Sequence, residues 1–236
     1  MGEAAIIEAQ KGAAARHAAG LIEPGMVVGL GSGTTAELAV QDVGRRVAAG
    51  LRLTGVATSR RTERLARDLG IPLADLDAVD HLDLTIDGAD EIALDTFALI
   101  KGRGGALLRE KIVAVASRRE VIIADASKVV PRLGRRHPVP VEVVPFGWRH
   151  TGRALERLGA RVTPREVPGD FYVTDGGNFI LDCAFGPLDD PAALAAQLKA
   201  LPGVVEHGLF IGLAHTIVVA DVDGVKKYEA RSTKYE

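Results

Sequence analysis

The sequence predicts an α/β fold: an open, mainly parallel sheet flanked by helices, with a smaller α+β domain inserted near the C-terminus. Two observations carry this. Short apolar runs alternate with Ala-rich or amphipathic stretches as far as Lys128, and most runs end in turns bearing Gly or Asp. Beyond Lys128 the alternation gives way to several short, partly antiparallel strands around two helices, the pattern of a split βαβ unit.

Residues 3–20 are rich in Ala, with Ile6, Ile7, Ala13, Ala14 and Ala18 on one broad side, and predict a helix ended near Gly20. Lys11 lies within it. A strand over 26–30 then meets Gly31-Ser32-Gly33-Thr34-Thr35, which opens a helix over 36–47. Backbone N–H groups, the hydroxyls of Ser32, Thr34 and Thr35, and the helix amino end make a ready anion site. The plainer alternative is a Gly turn with a Thr cap. The loop has Thr34 where the dinucleotide fingerprint wants a third Gly, and it lacks the Gly-Lys-Ser/Thr of nucleotide hydrolases, so sugar phosphate fits better than nucleotide. A strand over 51–57, a helix over 59–69 closed by Gly70, and strands over 71–76 and 82–86 continue the progression. Thr58 and Ser59 then point from a strand end toward the rim of Ser32.

Chemistry concentrates in the stretch 84–111, LTIDGADEIALDTFALIKGRGGALLREK. Two strands deliver Asp87 and Asp90, then Lys101, at their carboxyl ends, and the Gly-rich turn leads into a helix over 106–117 that carries Glu110. This set can remove a proton, protonate an oxygen and neutralise a developing oxyanion. On the helical wheel, however, Leu107, Leu108, Ile112, Val115 and Ala116 form the core stripe. Periodicity alone therefore makes Glu110 at least as good a solvated residue as a base.

A strand over 120–124 ends in Asp125-Ala126-Ser127-Lys128, where Lys128 is a candidate phosphate partner, and 130–137 reads as a crossing loop. A strand over 139–144, a helix over 148–158, strands over 160–163 and 171–174, a Gly176-Gly177 hairpin turn, a strand over 179–183, a helix over 191–200 and a short run at 204–205 make the small domain. Strands over 208–213 and 216–220 rejoin or border the first sheet, and 225–236 reads as a charged, mobile tail. The expected domains are 1–130 plus 206–236, catalytic and Rossmann-like, and 131–205, small and ferredoxin-like.

Composition narrows the partners. With 47% hydrophobic residues in 236, the chain can bury a substantial core, and a net charge of −2 leaves no basic footprint for nucleic acid or a membrane surface. The single Cys183 excludes an internal disulfide and, in an apolar run, reads as a buried, inert thiol. The six histidines lack metal-ligand spacing. No uncharged stretch is long enough to span a bilayer, and the amino terminus does not read as a signal peptide, so cytoplasm is the expected compartment.

Four runs, 29–36 (GLGSGTTA), 87–91 (DGADE), 101–106 (KGRGGA) with 109–111 (REK), and 124–128 (ADASK), occur in this order. Together with 138–144, the turn at Asn178 and 202–205, they resemble type A ribose-5-phosphate isomerase across nearly the whole chain. The resemblance implies interconversion of D-ribose 5-phosphate and D-ribulose 5-phosphate in the pentose phosphate pathway, without a metal or organic cofactor. It implies that Glu110 moves the proton between C2 and C1, that Asp87 and Asp90 assist ring opening and proton traffic, and that Lys101 steadies the enediolate. Lys11, Ser32, Gly33, Thr34, Thr35, Gly88, Ala89, Gly102, Arg103, Gly104 and Lys128 match substrate and phosphate contacts. Arg103 departs from the family's usual Gly, and an outward-pointing side chain is expected there. A homodimer or homotetramer is the implied assembly. A deaminating amino-sugar-phosphate isomerase would need a histidine between Asp87 and Glu110, which is absent. A sugar-sensing regulator would need an amino-terminal helix-turn-helix and a basic surface.

Overall fold

The computed structural model describes residues 2–230. Two compact units share the described residues: 2–88, 113–127 and 212–230 form one, and 89–112 with 128–211 the other. The first opens with α1 (Glu3–Ala19), β1 (Val27–Leu30), α2 (Thr34–Ala48), β2 (Thr54–Ala57), α3 (Arg60–Asp68) and β3 (Leu84–Gly88). The second opens with β4 (Glu91–Ala93), β5 (Ala98–Ile100) and α4 (Leu107–Val115), whose last turn belongs to the first unit, as does β6 (Glu120–Asp125). The second continues through β7 (Val139–Val143), α5 (Trp148–Arg157), β8 (Arg161–Pro164), β9 (Glu166–Val167), β10 (Asp170–Phe171), β11 (Phe179–Ala184), α6 (Pro191–Lys199), β12 (Val204–His207) and β13 (Leu209–Phe210). The chain returns to the first unit in β14 (Thr216–Asp221) and β15 (Gly224–Glu229).

The first unit is built on a sheet ordered β15-β14-β6-β3-β1-β2, parallel except at β15. A parallel sheet needs apolar cover on both faces. Val28 and Leu30 enter one cluster with Ile86, Val121 and Ile123 and with Ala14, Ala15 and Ala18 of α1. Val27, one residue out of step, joins a second cluster with Val56, Leu82 and Val113. Residues 71–76 do not form the expected strand. Leu73 makes a single bridge to Gly55, because Pro72 offers a carbonyl but no N–H, and a 3-10 turn follows at Leu76–Ala78. The expected tail is also corrected: Gly224–Glu229 is a full antiparallel edge strand. Its lysines, Lys226 and Lys227, suit an exposed edge, where charge discourages further pairing. The rest of that tail, 231–236, lies outside the described residues.

In the second unit the antiparallel sheet β12-β7-β11-β8, with α5 and α6 in the two crossovers, has the expected ferredoxin-like order. Val141, Val143, Leu155, Leu181, Cys183 and Leu198 form its core. Burial pushes the Cys183 thiol up, away from thiolate formation. The expected strand at 171–174 lies earlier, at Asp170–Phe171, in a two-stranded ribbon with β9. The division also differs from the expected domains. Strands β4, β5 and β13 make a three-stranded sheet whose Ala93, Ala98, Ile100 and Leu209 share the core of Val139 and Leu181, so 89–112 and 206–211 belong with the second unit.

Two buried charge clusters pin this unit. The Glu91 carboxylate, fully buried, accepts from the backbone N–H groups of Gly134 (2.7 Å), Arg136 (2.6 Å) and His137 (2.8 Å), which fixes the crossing loop. The Lys111 ammonium donates to Glu206 (2.8 Å) and to the carbonyls of His207 (2.6 Å) and Leu209 (2.9 Å). Lys111, Lys199 and the His207 N–H hold the Glu206 carboxyl at about 2 against the opposing effect of its own burial. Burial, reinforced by Lys111, holds His207 down at about 4.

Among the described residues no helix is long and apolar enough to cross a membrane.

His207 stays neutral in the fold while the unfolded chain takes up a proton below about 6.5. Its contribution is therefore present above pH 6.5 and is lost as pH falls toward 4. In urea unfolding between pH 6.5 and 5, the stability of His207→Asn should fall less steeply than that of the wild type, by up to about 1.4 kcal/mol per pH unit.

Candidate active site

In the first unit the turn after β1 is fitted around Asp87. A Cβ on Gly31 would lie 2.3 Å from Asp87 Oδ1 and 2.5 Å from the Ile86 carbonyl, so no side chain fits there. Asp87 is fully buried at the end of β3, and its Oδ1 accepts from the N–H groups of Ser32 (3.1 Å) and Gly88 (2.7 Å). Gly33, at φ +93°, turns the chain into α2 without any side-chain cap. The first N–H groups of that helix have no acceptor within the helix itself and lie beside the exposed Thr34 and the buried Thr35.

The Ser32 hydroxyl joins a cluster expected in part: it donates to Ser59 Oγ (2.7 Å) and lies 2.7 Å from Thr58 Oγ1 and 3.1 Å from Thr62 Oγ1. Thr62, hidden inside α3 in the sequence, anchors the turn by donating to the Gly31 carbonyl (2.9 Å). Lys11 pairs with Glu8 at 2.7 Å on α1.

The second unit holds the other predicted groups. Asp90 is half-buried, and its Oδ2 accepts from the Arg103 N–H (2.9 Å). Lys101 leaves β5 with its N–H on the Gly208 carbonyl (2.9 Å) and its side chain only 2% exposed. Its ammonium lies 3.5 Å from Glu110 Oε1 and 5.4 Å from the centroid of the Phe210 ring. Glu110, in the first turn of α4, is 5% exposed, whereas Ile112 is 47% and Val115 68% exposed. The predicted core stripe is thus rotated: Leu107, Glu110, Val113 and Ala114 face inward. Glu110 is not a solvated residue.

The turn between Lys101 and Glu110 needs glycine at two places. Gly102 (φ +104°) faces Leu107, and Gly105 (φ +82°) lies under the Tyr172 ring, where a Cβ would come within 2.2 Å of its hydroxyl. Arg103 is tolerated because its φ lies outside the left-handed region, and it is exposed, as expected. Gly104 is exposed too, and Gly88, Ala89 and Lys128 are half-buried. A cavity of about 260 Å³ is lined in part by Asp90, Arg103, His137, Arg165 and Asp182. Burial lowers the His137 pKa, with Lys128 and Arg103 adding to the effect and Asp90 and Glu91 opposing it. The places of Arg165 and Asp182 at this cavity, and of Tyr172 over Gly105, were not legible in the sequence, because no motif spacing ties them to the glycine-rich turn.

A base fixed beside an ammonium can exchange a proton at a carbon while the cation takes up charge on a neighbouring oxygen. Comparison with known proteins identifies the family. The family model for ribose 5-phosphate isomerase A (phosphoriboisomerase A) matches residues 54–224. A ribose-5-phosphate isomerase A of Gloeobacter violaceus is 57% identical over 216 residues, 92% of this chain and 94% of that protein. A solved ribose 5-phosphate isomerase A from Methanocaldococcus jannaschii superposes with a TM-score of 0.91 at 38% identity, over 94% of this chain and 99% of the other. A further D-ribose-5-phosphate isomerase, solved in complex with phospho-erythronic acid, gives 0.92 at 38% identity over 95% and 99%. With the family model covering most of its length and relatives matched nearly end to end, the chain belongs to the ribose 5-phosphate isomerase A family.

Proposed function

We propose that this chain interconverts D-ribose 5-phosphate and D-ribulose 5-phosphate by shuttling one proton between C2 and C1 through an enediolate. The observation that carries the reading is the buried pair of Lys101 and Glu110, 3.5 Å apart. A proton beside a sugar carbonyl is too weakly acidic for a carboxylate to remove unaided. In this reading Glu110 takes it, and the Lys101 ammonium stabilises the oxyanion that forms. As the carboxylate loses its charge to the proton, the substrate oxygen gains one, so the ammonium keeps an anionic partner throughout. Because both carbons are adjacent, the same carboxyl can return the proton to the other.

Asp87 and Asp90 are assigned ring opening and proton movement at the sugar oxygens. The fixed backbone bonds of each leave orientation, rather than charge alone, as what the fold supplies. Ser32, Gly33, Thr34 and Thr35, at an uncapped helix amino end, are assigned the phosphoryl group. Gly88, Ala89, Gly102, Arg103 and Gly104 are assigned to the rest of the sugar phosphate. Lys11 and Lys128 are assigned outer electrostatic contributions, which for Lys11 requires exchanging its Glu8 partner. The phosphate supplies binding energy away from the reacting carbons, and that energy can orient C1 and C2 over the base. The proposed setting is the pentose phosphate pathway in the cytoplasm, as a homodimer or homotetramer; the single buried thiol suits a reducing compartment.

Glu110→Gln keeps the volume and leaves an amide oxygen for Lys101. It should lower kcat by about 1,000-fold or more and leave affinity for ribose 5-phosphate within about tenfold. A kcat near that of the wild type would remove Glu110 from the role. In D2O the wild type should place deuterium at C1 of ribulose 5-phosphate, and the variant should not. Thr34→Ala should raise KM about tenfold with kcat within about threefold, since a charge-assisted contact to a remote phosphate is lost.

A further inference from the structure

Arg165 follows β8 and spends four of its five N–H groups inside the second unit. Its Nε donates to Asp182 Oδ2 (3.0 Å) and its Nη2 to Asp182 Oδ1, a bidentate grip on a carboxylate that is itself mostly buried. Its Nη1 donates to the carbonyls of Gly102 (2.8 Å) and Arg103 (3.0 Å), the two residues directly after Lys101. The next carbonyl, that of Gly104, accepts from the Tyr172 hydroxyl (3.2 Å), and the Arg165 guanidinium lies 6.0 Å from the Tyr172 ring centroid.

Three successive carbonyls of a turn with two left-handed glycines are thus taken by two side chains. Left alone, such a turn samples many conformations. On its other side Lys101 is held by its own N–H on the Gly208 carbonyl (2.9 Å). The backbone that carries the ammonium is therefore clamped before and after. Only a planar fork can serve a carboxylate on one edge and two carbonyls on the other; a lysine at this position has one point of charge and cannot.

We propose that Arg165, oriented by Asp182, is a positioning residue for the isomerisation: by holding the carbonyls of Gly102 and Arg103 it sets the Lys101 ammonium against Glu110. This rests on the reading of Lys101 and Glu110 given above. The ammonium acts on charge that develops in the transition state, so misplacing it lowers kcat and leaves ground-state binding largely alone. An arginine that touched the substrate phosphate would show the opposite division.

The test is steady-state kinetics on ribose 5-phosphate with Arg165→Met, Arg165→Lys and Asp182→Asn, beside the wild type and Glu110→Gln, with a thermal melt of each. The expected result for Arg165→Met is a kcat about 30- to 100-fold lower with KM within about threefold. Arg165→Lys should recover no more than about threefold of that loss. Asp182→Asn, which keeps the arginine but loosens its orientation, should lose about five- to tenfold in kcat at unchanged KM, and it carries the test if Arg165→Met does not fold. A KM rise at unchanged kcat, or kcat within twofold of the wild type in the folded variants, would overturn the proposal. An inactive wild type or a fully active Glu110→Gln would instead sink the reading of the site on which it rests.

Discussion

Taking a lysine and a glutamate out of water together is the constraint around which the second unit is arranged. Two charges transferred to a protein interior each lose several kcal/mol of hydration, and their attraction repays this only when geometry and further hydrogen bonds are held in place. Lys101 and Glu110 are almost fully buried, and they come from a strand end and a helix start joined by a glycine-rich turn. Neither element fixes the other by itself. The turn between them is bonded at its carbonyls, the strand is bonded at the Lys101 N–H, and Phe210 faces the ammonium.

The same unit holds two further buried charges that are bonded to the protein's own groups. Glu91 uses both oxygens on backbone N–H groups of a loop, and Lys111 is shared among Glu206 and two carbonyls. Both lie within or beside the sequence motifs of the site. Their donors and acceptors are taken up by the protein itself, which leaves them little capacity for a reacting molecule. In the first unit Asp87 is intermediate: one oxygen is tied to the turn after β1, so the aspartate and the loop assigned to the phosphate share one geometry.

Much of this was legible in the sequence because its signals are local. The glycine of a tight turn, the hydroxyls before a helix and the polar residue at a strand end each follow from a few neighbouring residues, and the places of Ser32, Asp87 and Lys101 at such turns and strand ends were read that way. The orientation of Glu110 was not. A helical wheel assumes that apolar side chains mark the inside, and α4 leaves Ile112 and Val115 open while drawing Glu110 in toward a lysine supplied by another element. Strand β15 was missed because its lysines resemble a solvated tail, although an edge strand needs such charge. The unit boundaries were missed because β4, β5 and β13 are three short runs whose pairing depends on a shared core.

Cys183 has a practical consequence. The chain's one native thiol is sealed in the core between strands and held as the neutral, unreactive form. A cysteine engineered at an open position such as Gly104 can therefore be alkylated with a maleimide dye or spin label against a silent background. The glycine-rich turn could then be followed spectroscopically in otherwise unaltered protein.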